Sequence, residues 1–170
     1  IKKSTSTNTE AIIFTNYLDK RISLMAAELS EITKSSKKEG IQIIGLSRWN
    51  LSKSILSEPS LQKSWFGKTD DRFRKIYEEK FIKQFGYKPH LVSSLAYDAI
   101  AAMGVLIDKN SSDKGYYPFS IKEILTPNGF IGIDGIFRFK NDRTTEKTVA
   151  IVEIDHGNLN IIEQVSNKFP

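Results

Sequence analysis

Short runs of consecutive apolar residues alternate along the chain with longer stretches in which apolar residues recur every third or fourth position. The first run is Ala11-Ile12-Ile13-Phe14, bounded by polar residues. Such a run suits a strand buried on both faces, as in a parallel sheet. After the polar turn Thr15-Asn16-Tyr17, the spacing of Leu18, Ile22, Met25, Leu29 and Ile32 predicts an amphipathic helix. Ser35 to Gly40 ends it, with lysines near the negative end of the helix and glycine at the turn. Ile41 to Gly45 predicts a second strand. Strand, helix and strand in this order make a βαβ unit.

The middle of the chain is helical in pattern. Leu51 to Leu61 predicts a short helix before Pro59, and Lys63 to Gly67 a third short strand. Asp70 is a candidate cap for a charged helix with the apolar stripe Phe73, Ile76, Tyr77 and Phe81, ended by Gly86. Leu91 to Ile107 predicts a more apolar helix with Leu95, Ala99, Met103 and Leu106 on one face. A helix apolar over most of its circumference is expected to be deeply buried. Asn110 to Pro118 reads as a loop, and Ser120 to Leu125 as a short helix with Ser120 as its cap. The tail changes character. Phe130 to Phe139 alternates around Gly132 and Gly135, Asn141-Asp142-Arg143 turns, and Thr148 to Ile154 predicts a strand followed by a hairpin-like Asp155-His156-Gly157-Asn158.

Composition narrows the classes. With 39% apolar and 26% charged residues in 170, the chain is of soluble globular type. No apolar run reaches the ~20 residues of a membrane span. The formal charge of +5 is scattered among acids, as where Arg74 and Lys75 precede Glu78 and Glu79. That pattern describes a solvated surface, and no nucleic-acid partner is expected. Cysteine is absent, which excludes disulfides and Cys-based metal sites. Residues 1–9 read as a linker or cut end, and any targeting signal is expected outside this sequence.

Candidate chemistry is sparse. No Gly-x-Ser-x-Gly elbow, phosphate-binding glycine loop or His-Glu-x-x-His motif occurs. His90 and His156 fall in loops or element ends, and Asp155-His156 would point to opposite faces of a strand. An enzyme is not expected, nor a metal or cofactor. The better signal lies at strand ends, because ligands of open parallel α/β sheets bind outside the carboxyl ends of the strands. Thr15, Asn16 and Tyr17 follow the first strand, and Ser47, Arg48 and Trp49 the second. Hydroxyl, amide, guanidinium and aromatic groups suit a small polar ligand. Packing of Tyr17 and Trp49 against loops, with Arg48 paired to an acid, is the alternative.

Several segments, taken in order, resemble the type I periplasmic solute-binding proteins. They are Glu10 to Phe14, Ile43 to Trp49, Ser64-Trp65-Phe66, and Phe85-Gly86-Tyr87-Lys88-Pro89 leading into Leu95 to Ala99. Asn128 to Phe139, running on to Thr148 to Ile154, is similar to the end of the branched-chain amino-acid binding-protein group, including activators of penicillin-binding proteins. The resemblance implies three-layer α/β lobes with parallel sheets, here incomplete, and a β-rich C-terminal segment. It implies that residues 10–67 belong to the second lobe, 68–127 to the first, and 128–170 cross back. It also implies a periplasmic or membrane-anchored protein whose partners are a small polar ligand and a membrane permease or cell-wall synthase. Exposed surfaces of such a partial fold would also suit a homo-oligomer. Family members that bind amino acids offer an acidic residue after the second of these strands. Leu46-Ser47-Arg48-Trp49 has none, so the expectation is either an anionic or carbohydrate-like ligand, with Arg48 facing the cleft, or a vestigial site.

Overall fold

The computed structural model describes residues 9–15, 20–35, 40–69, 71–109, 115 and 117–169. The chain divides into two compact units, Ile1–Lys68 with Ala150–Gln164, and Thr69–Val149 with Val165–Pro170.

The first unit opens with β1 (Ala11–Ile13), α1 (Lys20–Ser35) and β2 (Gln42–Gly45), so the βαβ pattern is present. Leu18 lies outside the described residues, but Ile22, Ala26 and Leu29 of α1 are buried at the expected spacing. The short helix expected before Pro59 is present as α2 (Lys53–Leu56), preceded by a 3-10 turn at Ser47–Leu51 and followed by another at Pro59–Leu61. The Ser52 hydroxyl caps α2 by accepting the Ile55 N–H, and proline, lacking an N–H, opens the last turn rather than continuing a helix. β3 (Trp65–Lys68), β7 (Ala150–Asp155) and β8 (Asn158–Glu163) complete a sheet ordered β1-β2-β3-β7-β8. The first three strands are parallel, and β7 and β8 join antiparallel. Phe14, Trp49, Leu61, Phe66, Val152 and Ile154 fill the core. β1 departs from the expectation of a strand buried on both faces. It is an edge strand whose Ile13 is 62% exposed, since among the described residues it pairs with β2 alone.

The second unit holds α3 (Asp71–Phe85), α4 (Ser93–Asp108), α5 (Ile121–Ile124) and a three-stranded antiparallel sheet. The sheet runs β4 (Phe130–Gly132), β5 (Gly135–Phe139) and β6 (Thr145–Lys147). Ala102, Leu106 and Phe130 form its apolar centre, with Ile124, Phe137 and Phe139 packed around them. Asp70 lies outside the described residues. Ser120 precedes α5 but caps it with its carbonyl, which accepts the Glu123 and Ile124 N–H groups, while its hydroxyl makes no cap bond.

The expectation that α4 is deeply buried over most of its circumference is corrected, although Leu106 of the expected face is buried. Its buried residues are Ser94, Asp98, Ala102 and Leu106, one per turn, and Leu95 is 59% exposed. Helix rotation follows polar contacts here. Asp98 accepts the backbone N–H of Ile133 at 2.8 Å. Gly132 lets the helix come this close, because a Cβ there would meet the Asp98 carboxylate at 2.4 Å.

Candidate functional site

β1 and β2 lie side by side in parallel, with Ile13 opposite Ile44. The Phe14 N–H extends the ladder to the Ile44 carbonyl at 2.8 Å. The segments after the two strands therefore leave the same end of the sheet, as a site at the carboxyl ends of parallel strands requires. Thr15 is exposed at that end; Asn16 and Tyr17 lie outside the described residues. Ser47 is exposed and Arg48 half-buried, both in the first turn of the 3-10 segment that follows Leu46. The turn is closed by the Trp49 N–H donating to the Leu46 carbonyl at 3.0 Å.

Trp49 does not stand where a stacking partner would. Its residue is 1% exposed. The ring sits edge-on to Phe14 at 6.4 Å and tilted to Phe66 at 6.3 Å between centroids. The bare Cα of Gly45 makes room for it, since a Cβ there would come within 2.4 Å of the ring. The indole N–H finds no acceptor among the described residues. Trp49 thus belongs to the core and anchors the turn carrying Ser47 and Arg48. The surface that remains offers two hydroxyls and a guanidinium, and the segment after β2 supplies no carboxylate.

A second polar constellation lies within the other unit, and the apolar stripe read from the sequence gave no hint of it. Asp134, at the β4–β5 turn, accepts from Arg74 Nε at 2.7 Å and from the Ser94 hydroxyl at 2.8 Å. Lys147 Nζ approaches the same carboxylate at 3.5 Å. Arg74 also donates to Ser94 at 3.1 Å. Asp134 is 5% exposed, so this is a buried ionic knot tying α3, α4, the hairpin and β6. Asp98 sits beside it. Desolvation pushes its carboxyl above the usual range, opposed by the Ile133 N–H and the Lys147 charge. The legible signal was Ser94 and Asp98, four residues apart in an otherwise apolar helix, together with Asp134 between two glycines. The knot is saturated with internal partners and serves the fold.

His156 and Asp155 are closer than strand alternation suggests. His156 occupies the β7–β8 turn, not the strand, and its Nδ1 lies 2.9 Å from Asp155 Oδ1. That carboxylate also accepts from Lys63 Nζ at 2.8 Å and Asn160 Nδ2 at 3.1 Å. The Lys63 hydrogen bond, foremost, holds the Asp155 carboxyl below the usual value, and Lys63 is raised in turn. A carboxylate so engaged is a poor general base. Among the described residues no three metal-binding side chains cluster, and no helix is long and apolar enough to cross a membrane.

The α/β units, the partly parallel sheet and the small antiparallel sheet are those of the type I periplasmic binding protein fold, and solved structures share it. A branched-chain amino acid ABC transporter protein from Rhodospirillum rubrum superimposes with a TM-score of 0.62 at 16% identity, over 95% of this chain and 46% of its own. The C-domain of LpoA from Haemophilus influenzae, a regulator of PBP1A, gives 0.59 at 13% identity, over 95% and 48%. A leucine-binding protein from Thermotoga maritima gives 0.50 at 19% identity, over 98% and 47%. The chain spans about half the length of these structures. No protein-family model and no curated protein matches it. The fold is thus shared by binding proteins and by a regulator.

Proposed function

We propose that the chain is part of a non-catalytic, extracytoplasmic solute-binding component of an ABC-type uptake system, which takes a small polar ligand at Thr15, Asn16, Tyr17, Ser47 and Arg48 and delivers it to a membrane permease. The observation that carries this reading is the emergence of Thr15 and Ser47-Arg48 from the same end of two adjacent parallel strands. Hydroxyl donors and a guanidinium favour an anionic or sugar-like ligand over a zwitterionic amino acid, whose ammonium group would lack a countercharge there.

A thermal-shift panel of amino acids, dicarboxylates, sugars and peptidoglycan fragments tests it. A ligand at 100 times its Kd stabilises by about 2.7 kcal/mol, a readily measured shift. The paired substitution Ser47→Ala and Arg48→Ala should abolish the shift, with Trp49 left intact because it holds the core. Silence across the panel would sink solute capture. A second reading, a regulator that contacts a cell-wall synthase through the same fold, is favoured by the missing carboxylate after β2 and the likeness to the LpoA C-domain. It expects that silence, together with binding to a purified synthase.

A further inference from the structure

We propose that the groove bordered by α3, α4 and β4 is a binding site for a small aromatic amine, whose ring lies among aromatic side chains and whose ammonium group meets Asp98. The site lies wholly within the second unit, apart from the strand-end residues of the first. Its volume is about 500 Å³, within the range of small-molecule pockets. Tyr77, Phe81 and Phe85 of α3 and Tyr97 of α4 line it. These rings brace one another. Tyr77 packs edge-on to Tyr97 at 5.4 Å between centroids and lies 5.9 Å from Phe81, which is 4.5 Å from Phe85. The Tyr77 hydroxyl donates to the Ser93 hydroxyl at 2.8 Å, which fixes the ring's tilt. The aromatic wall is thus set without a ligand, and the faces of such rings attract a cation.

Apolar walls alone accept any apolar body; Asp98 narrows the choice. It lines the groove and is 5% exposed. Its Oδ1 accepts the Ile133 N–H at 2.8 Å, whereas Oδ2 takes no hydrogen bond among the described residues. Oδ2 lies instead against Gly132, another lining residue, where a Cβ would collide with it. A carboxylate in so apolar a lining is costly unless a donor or a cation meets it. Burial raises the Asp98 carboxyl above its usual range, and the Ile133 N–H and the Lys147 charge offset this only in part. An ammonium group at Oδ2 supplies donor and charge together, the stronger kind of hydrogen bond. Lys80 and Gln84 also line the groove but are exposed, so the buried charge there is that of Asp98. A carboxylate ligand would meet like charge.

Three probes of one shape test the site: tryptamine, 3-ethylindole and indole-3-propionate. Each is titrated by calorimetry into the 170-residue chain and into the product of its complete coding sequence, and amide NMR shifts locate the binding. Tryptamine should bind both proteins with a Kd below about 1 mM, moving the signals of Tyr97, Gly132 and Ile133. The uncharged and anionic probes should bind about tenfold more weakly or worse. Asp98→Asn keeps an oxygen for the Ile133 N–H and should weaken tryptamine by about tenfold or more, with the circular dichroism spectrum unchanged. Ala101→Trp, at an exposed lining position, should fill the groove and abolish binding; it decides the matter should Asp98→Asn unfold. The Ser47→Ala and Arg48→Ala pair should leave tryptamine binding unchanged. Equal affinity for the three probes would overturn the proposal, as would full-strength binding in either folded variant or shifts confined to the first unit. So would binding by the 170-residue chain alone, which would mean that another part of the polypeptide fills the groove.

Discussion

Replacing Gly45 with alanine is a direct test of how the strand-end turn is supported. The new Cβ would lie 2.4 Å from two carbons of the Trp49 ring and 2.5 Å from a third. Carbon atoms sit comfortably at about 3.5–4.0 Å, so the ring or the strand must move by about 1 Å. The ring has little room to move, being 1% exposed and flanked by Phe14 and Phe66. Overpacking of this kind costs about 1–3 kcal/mol. Against it stands a gain of roughly 0.4–1 kcal/mol from the stiffer unfolded chain. A net loss of about 1–2 kcal/mol is expected. The chain has two tryptophans, Trp49 and Trp65, both in the first unit. Urea unfolding followed by tryptophan fluorescence therefore reads that unit selectively. In a Trp49→Leu background the same alanine should cost much less, a coupling of about 1 kcal/mol or more. A loss below about 0.5 kcal/mol, or an equal loss in both backgrounds, would refute the account of Trp49 as a wedged core residue.

Other outcomes follow from the polar contacts. Asp134→Ala should destabilise the second unit by about 3–5 kcal/mol, because Arg74 and Lys147 lose their shared countercharge; far-UV circular dichroism during unfolding would show it, and a loss under about 1 kcal/mol would argue against the knot. Asp98, with its carboxyl raised from 3.8, contributes stability that is lost as pH rises through the raised value. Asp98→Asn lacks that loss, so its stability relative to the native chain should grow with pH and then level off, whereas Asp98→Leu should be destabilised throughout because the Ile133 N–H loses its acceptor. Asp155 is lowered from 3.8 by Lys63, so its contribution is present above that value and lost as pH falls through the lowered one. Lys63, raised from 10.5, contributes below that value and loses it as pH rises through the raised one. Lys63→Met should flatten both limbs of the first unit's stability profile, read by tryptophan fluorescence; an unchanged acid limb would contradict the pairing.

The βαβ opening was legible because its two signals are nearly independent of context: a continuous apolar run for each strand, and a three- and four-residue spacing at Ile22, Met25 and Leu29 between them. Hydrophobicity misled at α4. The partner of that helix is a turn whose Ile133 N–H needs a side-chain acceptor and whose Asp134 carboxylate needs a donor, so the strip that docks begins with Ser94 and Asp98. No apolar periodicity selects such a strip. The placement of Thr15, Ser47 and Arg48 at one end of the sheet was legible from topology alone, whereas Trp49 carried a double meaning. An aromatic ring after a strand serves equally well to stack on a ligand or to close a core, and Gly45 four residues earlier was the local sign of the second use.

The chain passes between its two units three times, at Lys68–Thr69, Val149–Ala150 and Gln164–Val165. During synthesis β3 therefore emerges long before β7, its antiparallel neighbour, since Phe66 lies opposite Val152. The ribosome must deliver the whole intervening segment, 69–149, before the first sheet can close. That segment contains its own hairpin, helices and ionic knot, so it can settle while the earlier strands wait with an open edge. Loop closure across an already compact insert is cheaper than across a floppy one. Substitutions that slow the inner segment's folding should consequently lower the yield of the outer sheet as well, though they touch none of its strands.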